Sequence, residues 1–304
     1  LVAQRGLELL QAAEESGANY LFEASVGGGI PIIRPLCQCL AANYIEGIAG
    51  ILNGTTNFIL TMMIEKGMSF DEALKIAQEK GYAEKDPTAD VEGYDACRKV
   101  CILASLAFGK HVYPNQVETE GITNITLEDV SYIENAGGVI KLLGQIKYIN
   151  DNEIAAFVSP AVVYNGSQLA SVKDVFNAIL VRGDAVGDVC FYGPGAGKLP
   201  TASAVVADII DCAKHSERKK IFGWGAGAED YVVDYKERIE MPFYVRAKAT
   251  PAEINAKFSD VKFLSRKGQP SDEVAFITDI MTENKLNKKL DGINVINTIK
   301  VTNY

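Results

Sequence analysis

Ala77-Gln-Glu-Lys-Gly81-Tyr82-Ala83-Glu84-Lys-Asp86-Pro87-Thr-Ala-Asp90-Val-Glu-Gly93-Tyr-Asp95-Ala-Cys-Arg-Lys99 gathers Glu84, Asp86, Asp90, Asp95 and Lys99 around one loop and one helix. Asp95 and Lys99 lie four apart on the helix and share a face. Glu84 and Asp90 precede that helix in a loop stiffened by Pro87. Taken alone, an Asp/Lys pair at this spacing is most often an exposed salt bridge of little energetic worth. The neighbouring acids open a second reading, a cationic proton carrier held among carboxylates. Ahead of the loop, Ser69-Phe-Asp-Glu72 is a capping box for a helix through Ala73, Leu74 and Ala77, closed by Gly81.

Upstream, Gly47-Ile-Ala-Gly50-Ile-Leu-Asn53-Gly54-Thr55-Thr56-Asn57-Phe58 reads as an apolar strand, a polar turn and the start of a helix. Thr56 or Asn57 is expected to cap that helix, and its first amides also suit a carboxylate. Glu23-Ala-Ser-Val26-Gly27-Gly28-Gly29-Ile30-Pro31 is a glycine turn leading into a helix, with backbone groups able to approach a ligand. Before it, Gly6 to Glu15 is helical through Leu7, Leu10 and Ala13, Gly17 ends it, and Tyr20 to Ala24 reads as a buried strand. No G-x-G-x-x-G stands between a strand and a helix.

The 304 residues, 48% hydrophobic, suffice for about two domains. A formal charge of -9 argues against nucleic acid or an anionic membrane as the main partner. Six cysteines in so long a chain do not make a disulfide framework and read as reduced thiols of a cytosolic protein, Cys97 and Cys101 facing a core. No apolar run approaches the roughly 20 residues of a membrane-spanning helix.

Residues 121–190 alternate turns with strands such as Val139 to Ile149 and Ala155 to Val163. Gly193-Pro194-Gly195-Ala196-Gly197-Lys198-Leu-Pro200-Thr201-Ala202 is a glycine turn feeding an apolar helix to about Cys212. Residues 217–240 read as a linker. Beyond it, Phe243–Ala249, Pro251–Phe258, Val261–Arg266, Glu273–Thr278, Thr282–Leu290 and Ile293–Val301 follow the β, α, β, β, α, β order of a ferredoxin-like unit.

The 77–99 stretch resembles the signature of homoserine dehydrogenases, in which a helix end, a Gly-Tyr turn, an Asp-Pro-x-x-Asp loop and a helix bearing Asp-x-x-x-Lys follow at this spacing. Glu23 to Ile32, Asn53 to Asn57 and Gly193 to Ala202 are similar to further elements of that family. The resemblance implies an α/β (α+β) fold. Its parts would be a remnant of an NAD(P)-binding Rossmann domain (1–26), a mixed-sheet catalytic and dimerisation domain (27–190), a return segment packing on the nucleotide domain (191–222) and an ACT-like module (241–304).

The implied activity is NAD- or NADP-dependent interconversion of L-homoserine and L-aspartate 4-semialdehyde, in threonine, methionine and isoleucine biosynthesis. By the same resemblance Lys99 is the proton donor and acceptor and Asp95 its partner at the substrate hydroxyl. Glu84 binds the substrate ammonium, with Tyr82, Asp90, Gly54 and Thr55 completing the substrate pocket. Gly195, Ala196 and Gly197 would meet the nicotinamide. Glu23 with the backbone oxygens of Val26, Gly28 and Ile30 would hold a monovalent cation, Na+ or K+. A cytoplasmic homodimer or homotetramer acting on a small amino acid is implied, with neither nucleic acid nor membrane as partner. In the family a nucleotide-binding segment with an Asn-Lys pair precedes the position matching Leu1, so these residues by themselves are expected not to bind NAD(P) normally.

Other readings stay open. Ala249-Thr-Pro-Ala-Glu stands where ACT modules carry an Asp-x-Pro-Gly-Val turn, so a module that only dimerises stands beside one that binds threonine. An aspartate-semialdehyde dehydrogenase would need a nucleophilic cysteine with a histidine base, and only His111 and His215 exist. A catalytically idle scaffold that retains the carboxylate pocket is the third reading.

Overall fold

The computed structural model describes residues 1–217, 220–302 and 304. Helix α1 (Val2–Ser16) ends on Gly17, whose left-handed conformation only glycine adopts cheaply. The strand expected at Tyr20 to Ala24 is absent: residues 18–22 are irregular and Glu23–Ser25 make a single 3-10 turn. An apolar run becomes a strand only when another strand supplies hydrogen bonds, and Phe22 instead packs its ring on Phe222 and Trp224.

The chain continues through β1 (Ile45–Ile51), α2 (Gly54–Lys66), α3 (Phe70–Glu79), α4 (Thr88–Val91), α5 (Tyr94–Phe108), β2 (Glu118–Thr119) and α6 (Leu127–Asn135). Next come β3 (Gly138–Asn150), β4 (Glu153–Tyr164), β5 (Phe176–Gly183), β6 (Gly187–Pro194) and α7 (Lys198–Lys214). The last part holds α8 (Tyr235–Arg238), β7 (Glu240–Met241), β8 (Phe243–Lys248), α9 (Pro251–Lys257) and β9 (Val261–Leu264). It closes with β10 (Glu273–Thr278), β11 (Met281–Thr282), α10 (Glu283–Leu290) and β12 (Asn294–Thr302).

Among the described residues ten strands form one mixed sheet, in the order β6-β5-β1-β3-β4-β12-β8-β10-β9 with β2 alongside β4. Gly193 and Pro194, read as the start of a turn, are the end of β6 and pair with Asn177 and Phe176. Strand β4 is buried along nearly its whole length, as expected of a strand covered on both faces. On one face α2, α5 and α6 supply the largest core, including Phe58, Ile59, Val100, Leu103 and Ile133. Residues 169–172 cover the other face over Ala161, Val163 and Leu180. Helix α2 is buried nearly all round, which its run of Phe58, Ile59, Leu60 and Met63 requires.

The C-terminal βαββαβ order is found as expected, and its strands lie fourth, first, third, second across the sheet, the ferredoxin-like arrangement. Its own core forms around Phe243, Val245, Ile254 and Phe276. This unit does not hang on a tether. Strand β12 pairs parallel with β4 from Lys300 opposite Ala161 to Thr302 opposite Val163. Asp129 of α6, fully buried, accepts from Tyr244 Oη at 3.0 Å and Asn297 Nδ2 at 2.9 Å.

The linker expected at 217–240 is likewise tied down, Arg218 and Lys219 lying outside the described residues. Gly225 exchanges backbone hydrogen bonds with Gly109 and His111, and Ile154 does so with Tyr231 and Val233. Glycine content marks a segment as permissive, and here it lets the backbone lie close against another chain segment. Trp224 anchors it, buried, with Nε1 donating to His111 Nδ1 at 2.8 Å.

That bond makes an acid sensitivity readable. Burial holds the His111 pKa below its ordinary 6.5, with only the charge of Glu8 opposing. The unfolded chain therefore binds the proton more readily, so this contribution to stability is intact above about pH 6.5 and is lost as pH falls below it. Trp224 is the single tryptophan. Its emission should shift to the red between about pH 6.5 and 5, and His111→Gln should abolish the transition. An emission spectrum constant over that range would show that protonation does not break the contact.

Candidate functional site

Strand β1 delivers Leu52 and Asn53 to the start of α2, and the Asn53 side chain accepts from Thr56 N at 2.9 Å. Asn53 is thus the cap, worth about 1 kcal/mol, and not Thr56 or Asn57. It precedes the first helical residue while Thr56 and Asn57 already lie within the helix. The Ser69 and Glu72 capping box is present, and α3 leads to Gly81 and Tyr82. Asp86 accepts from Thr88 N and Oγ1 in the turn before the one-turn helix α4, and Asp90 sits on that helix and not in an open loop.

These elements bring the site together. Lys99 Nζ donates to Asp95 Oδ2 at 2.7 Å and to the Leu52 carbonyl at 2.7 Å. Asn53 Nδ2 donates to Asp90 Oδ1 at 2.7 Å and Asp95 Oδ2 at 2.9 Å. The Lys99 side chain is 18% exposed, and a backbone carbonyl accepts a hydrogen bond from a second of its N–H groups, which a solvated surface pair would not need. Burial raises the Asp90 pKa, the Asn53 hydrogen bond opposes this, and the charge of Asp95 adds to it. Asn53 is the bridging residue that sequence reading took for part of a turn. Its position one residue before a helix start and beside an acidic helix face was the available signal.

A cleft of about 590 Å³ is lined by Asn53, Gly54, Thr55, Tyr82, Glu84, Asp90, Asp95, Lys99, Val175 and Gly195 to Gly197. The expected catalytic, substrate and nicotinamide residues therefore share one space, although about 100 residues separate Lys99 from Gly197 in sequence. Thr55 Oγ1 ties this wall to the Tyr82 carbonyl at 2.7 Å, and the Tyr82 ring stands edge-on to Phe58. The Glu84 side chain is exposed in the cleft, with its backbone held by Gln78.

The glycine turn of 27–29 presses against the same region. A Cβ on Gly28 would sit 2.3 Å from the Gly195 carbonyl oxygen, and Gly29 N donates to Pro194 O at 3.1 Å. The Glu23 carboxylate accepts three amides, from Ile32 at 2.7 Å, Ile33 at 2.8 Å and Arg34 at 2.9 Å. Its two oxygens thus cap the turn that starts there, and Arg34 links it to Asp208 of α7. Among the described residues no group of three or more His, Cys, Asp or Glu side chains is placed to hold a metal ion. His111 is bound to Trp224, and His215 pairs with Asp211 on α7; neither lines the cleft with a cysteine.

The profile of the homoserine dehydrogenase family matches residues 31–210. The chain is 49% identical over 214 residues to a homoserine dehydrogenase of Synechocystis sp., covering 69% of this chain and 49% of that one. It is 47% identical over 215 residues to that of Bacillus subtilis, covering 71% and 49%. The chain thus spans about half the length of these relatives. The crystal structure of a homoserine dehydrogenase from Thiobacillus denitrificans superposes with a TM-score of 0.88 at 38% identity, over 100% of this chain and 74% of that one. A hyperthermophilic archaeal homoserine dehydrogenase mutant in complex with NADPH superposes with a TM-score of 0.59 at 32% identity, over 70% and 61%.

Proposed function

Because this chain belongs to the homoserine dehydrogenase family, we propose that its cleft serves the NAD(P)-dependent interconversion of L-homoserine and L-aspartate 4-semialdehyde. The observation that carries the reading is the Lys99 ammonium, held by Asp95 and Leu52 at 2.7 Å each in a cleft that also contains Glu84 and the 195–197 turn. An ammonium has three N–H groups, so one remains for a substrate oxygen. In the reductive direction Lys99 gives its proton to the aldehyde oxygen as that oxygen becomes an alcohol. In the oxidative direction the hydroxyl proton returns to it.

Glu84 is the counter-charge for the substrate ammonium. The start of α2, at Gly54 and Thr55, suits the α-carboxylate, since helix N-terminal amides favour anions. The nicotinamide supplies the two-electron hydride chemistry when bound. The Gly195-Ala196-Gly197 turn lines the same cleft as Lys99, where its backbone is open to that group. The cation part of the reading takes Glu23 with the backbone oxygens of Val26, Gly28 and Ile30, although the Glu23 carboxylate already accepts the amides of Ile32, Ile33 and Arg34. An all-oxygen donor set suits Na+ or K+.

Free thiols at all six cysteines support a cytoplasmic setting, and among the described residues no helix is long and apolar enough to cross a membrane. The open edge strand β6, with Tyr192 stacked on Phe176, supports a homodimer or homotetramer. The strand order of residues 243–302 supports an ACT-like module, with the 249–253 turn arguing against bound threonine. The test is the full-length protein: it should reduce NAD or NADP with homoserine and oxidise the reduced form with the semialdehyde. A protein that binds the cofactor yet turns over neither substrate sinks the reading. An idle scaffold would not need Lys99, Asp95, Asn53 and Asp90 in register, and an aspartate-semialdehyde dehydrogenase would need a Cys-His pair in the cleft.

A further inference from the structure

Lys141 is the fourth residue of β3 and is 2% exposed. Its ammonium donates to Asn57 Oδ1 at 3.1 Å and to the Val172 carbonyl. Asn57, 1% exposed on α2, turns its Nδ2 to the carbonyls of Val172 at 3.3 Å, Asp174 at 3.0 Å and Phe176 at 3.1 Å. Asp174 N donates to Thr61 Oγ1 at 3.1 Å, and Asp174 itself is held at a φ of 54°, a strained value for a residue with a side chain. The segment between β4 and β5 is therefore fixed from below by three buried polar side chains, Lys141, Asn57 and Thr61. Burying a lysine is expensive, and hydrophobic packing would have filled the same space more cheaply.

The fixed segment reaches the cleft. Val175 lines it, and a Cβ on Gly54 would lie 2.8 Å from the Val175 carbonyl oxygen, so this loop sits directly against the helix start that faces the substrate. We propose that Lys141, acting with Asn57, is a positioning residue that holds the Val172–Phe176 loop as a wall of the substrate cleft and thereby sets the place of Gly54 and Thr55. The ligand's identity rests on the homoserine reading; the clamp does not.

Burial, helped by the charge of Lys173, pushes the Lys141 pKa down to about 8, while Glu65 and Asp174 oppose. Glu65 is itself paired with Lys173 at 2.6 Å. The sign of the consequence follows from linkage. In water the pKa is near 10.4, so any opening of the loop that wets Lys141 takes up a proton and is favoured by acid, while the closed loop gains from about pH 8 upward.

The test measures hydrogen exchange in the full-length protein without substrates, corrected for intrinsic rates. Protection of residues 172–177 should increase between about pH 7 and 9.5 in the wild type, with residues 97–108 constant. Lys141→Met should abolish the trend and raise KM for homoserine roughly 5- to 10-fold, with kcat within about twofold. A wild-type loop without the trend overturns the clamp even if Lys141→Met does not fold. A folded variant with wild-type KM and the same trend overturns it as well. If homoserine is not turned over at all, the dehydrogenase reading fails and the exchange data alone decide the clamp.

Discussion

Replacing Lys99 with alanine in the full-length protein is expected to lower kcat by at least roughly 100-fold while KM for homoserine changes little, the mark of a group needed mainly in the transition state. The geometry supports so large an effect. Lys99 is fixed by Asp95 and by the Leu52 carbonyl, and Asp95 is fixed in turn by Asn53; among the described residues that line the cleft, no other lysine or arginine stands beside it. Lys99→Arg keeps the charge but cannot release a proton near neutral pH, and it should not restore turnover. Glu84→Ala should act oppositely, raising KM with a smaller change in kcat, because Glu84 would bind the ammonium equally in ground and transition states. Steady-state kinetics of the three variants decide the matter. Equal and mild effects of Lys99→Ala and Glu84→Ala on kcat would mean that the cluster is only a solvated charged surface.

What could be read from the sequence was what short-range chemistry determines. The Ser69 capping box, the Gly17 stop, the helix carrying Asp95 and Lys99, and the whole C-terminal βαββαβ order depend on neighbours a few residues away, and all are present. Apart from the cap of α2, which is Asn53 and not Thr56 or Asn57, the readings that failed depended on distant partners. Tyr20 to Ala24 have strand composition but no strand beside them. Residues 220–233 have linker composition, yet Gly109, His111 and Ile154 come close enough to bind their backbone. The candidate site divides the same way. Lys99 and Asp95 announce themselves by spacing, whereas Asn53, which joins Asp90 to Asp95, and Lys141, which looks like an ordinary strand lysine, gain their meaning only from packing.

The contact between the two glycine turns yields the second large expectation: Gly28→Ala should lower kcat/KM roughly 100-fold. Gly28 has a φ of 56°, where an L side chain costs about 1–2 kcal/mol, a penalty that by itself would be felt only as stability. The steric clash matters more. The new Cβ would meet the Gly195 carbonyl oxygen at 2.3 Å and its carbon at 2.6 Å, and because both are backbone atoms no rotamer change relieves the overlap. The 194–197 turn must move away by about 1 Å, the scale of misplacement that costs a site about two orders of magnitude. Since Gly195 to Gly197 face Lys99 across the cleft, the shift separates the groups meant to hold the cofactor from the proton carrier. Gly17→Ala provides the control, as Gly17 has a φ of 73° but nothing within 4 Å of a new Cβ. It should lower the melting temperature of the full-length protein by a few degrees and leave kcat/KM nearly unchanged. If both substitutions affected only stability, the 27–29 turn would be a structural brace with no hold on the geometry of the cleft.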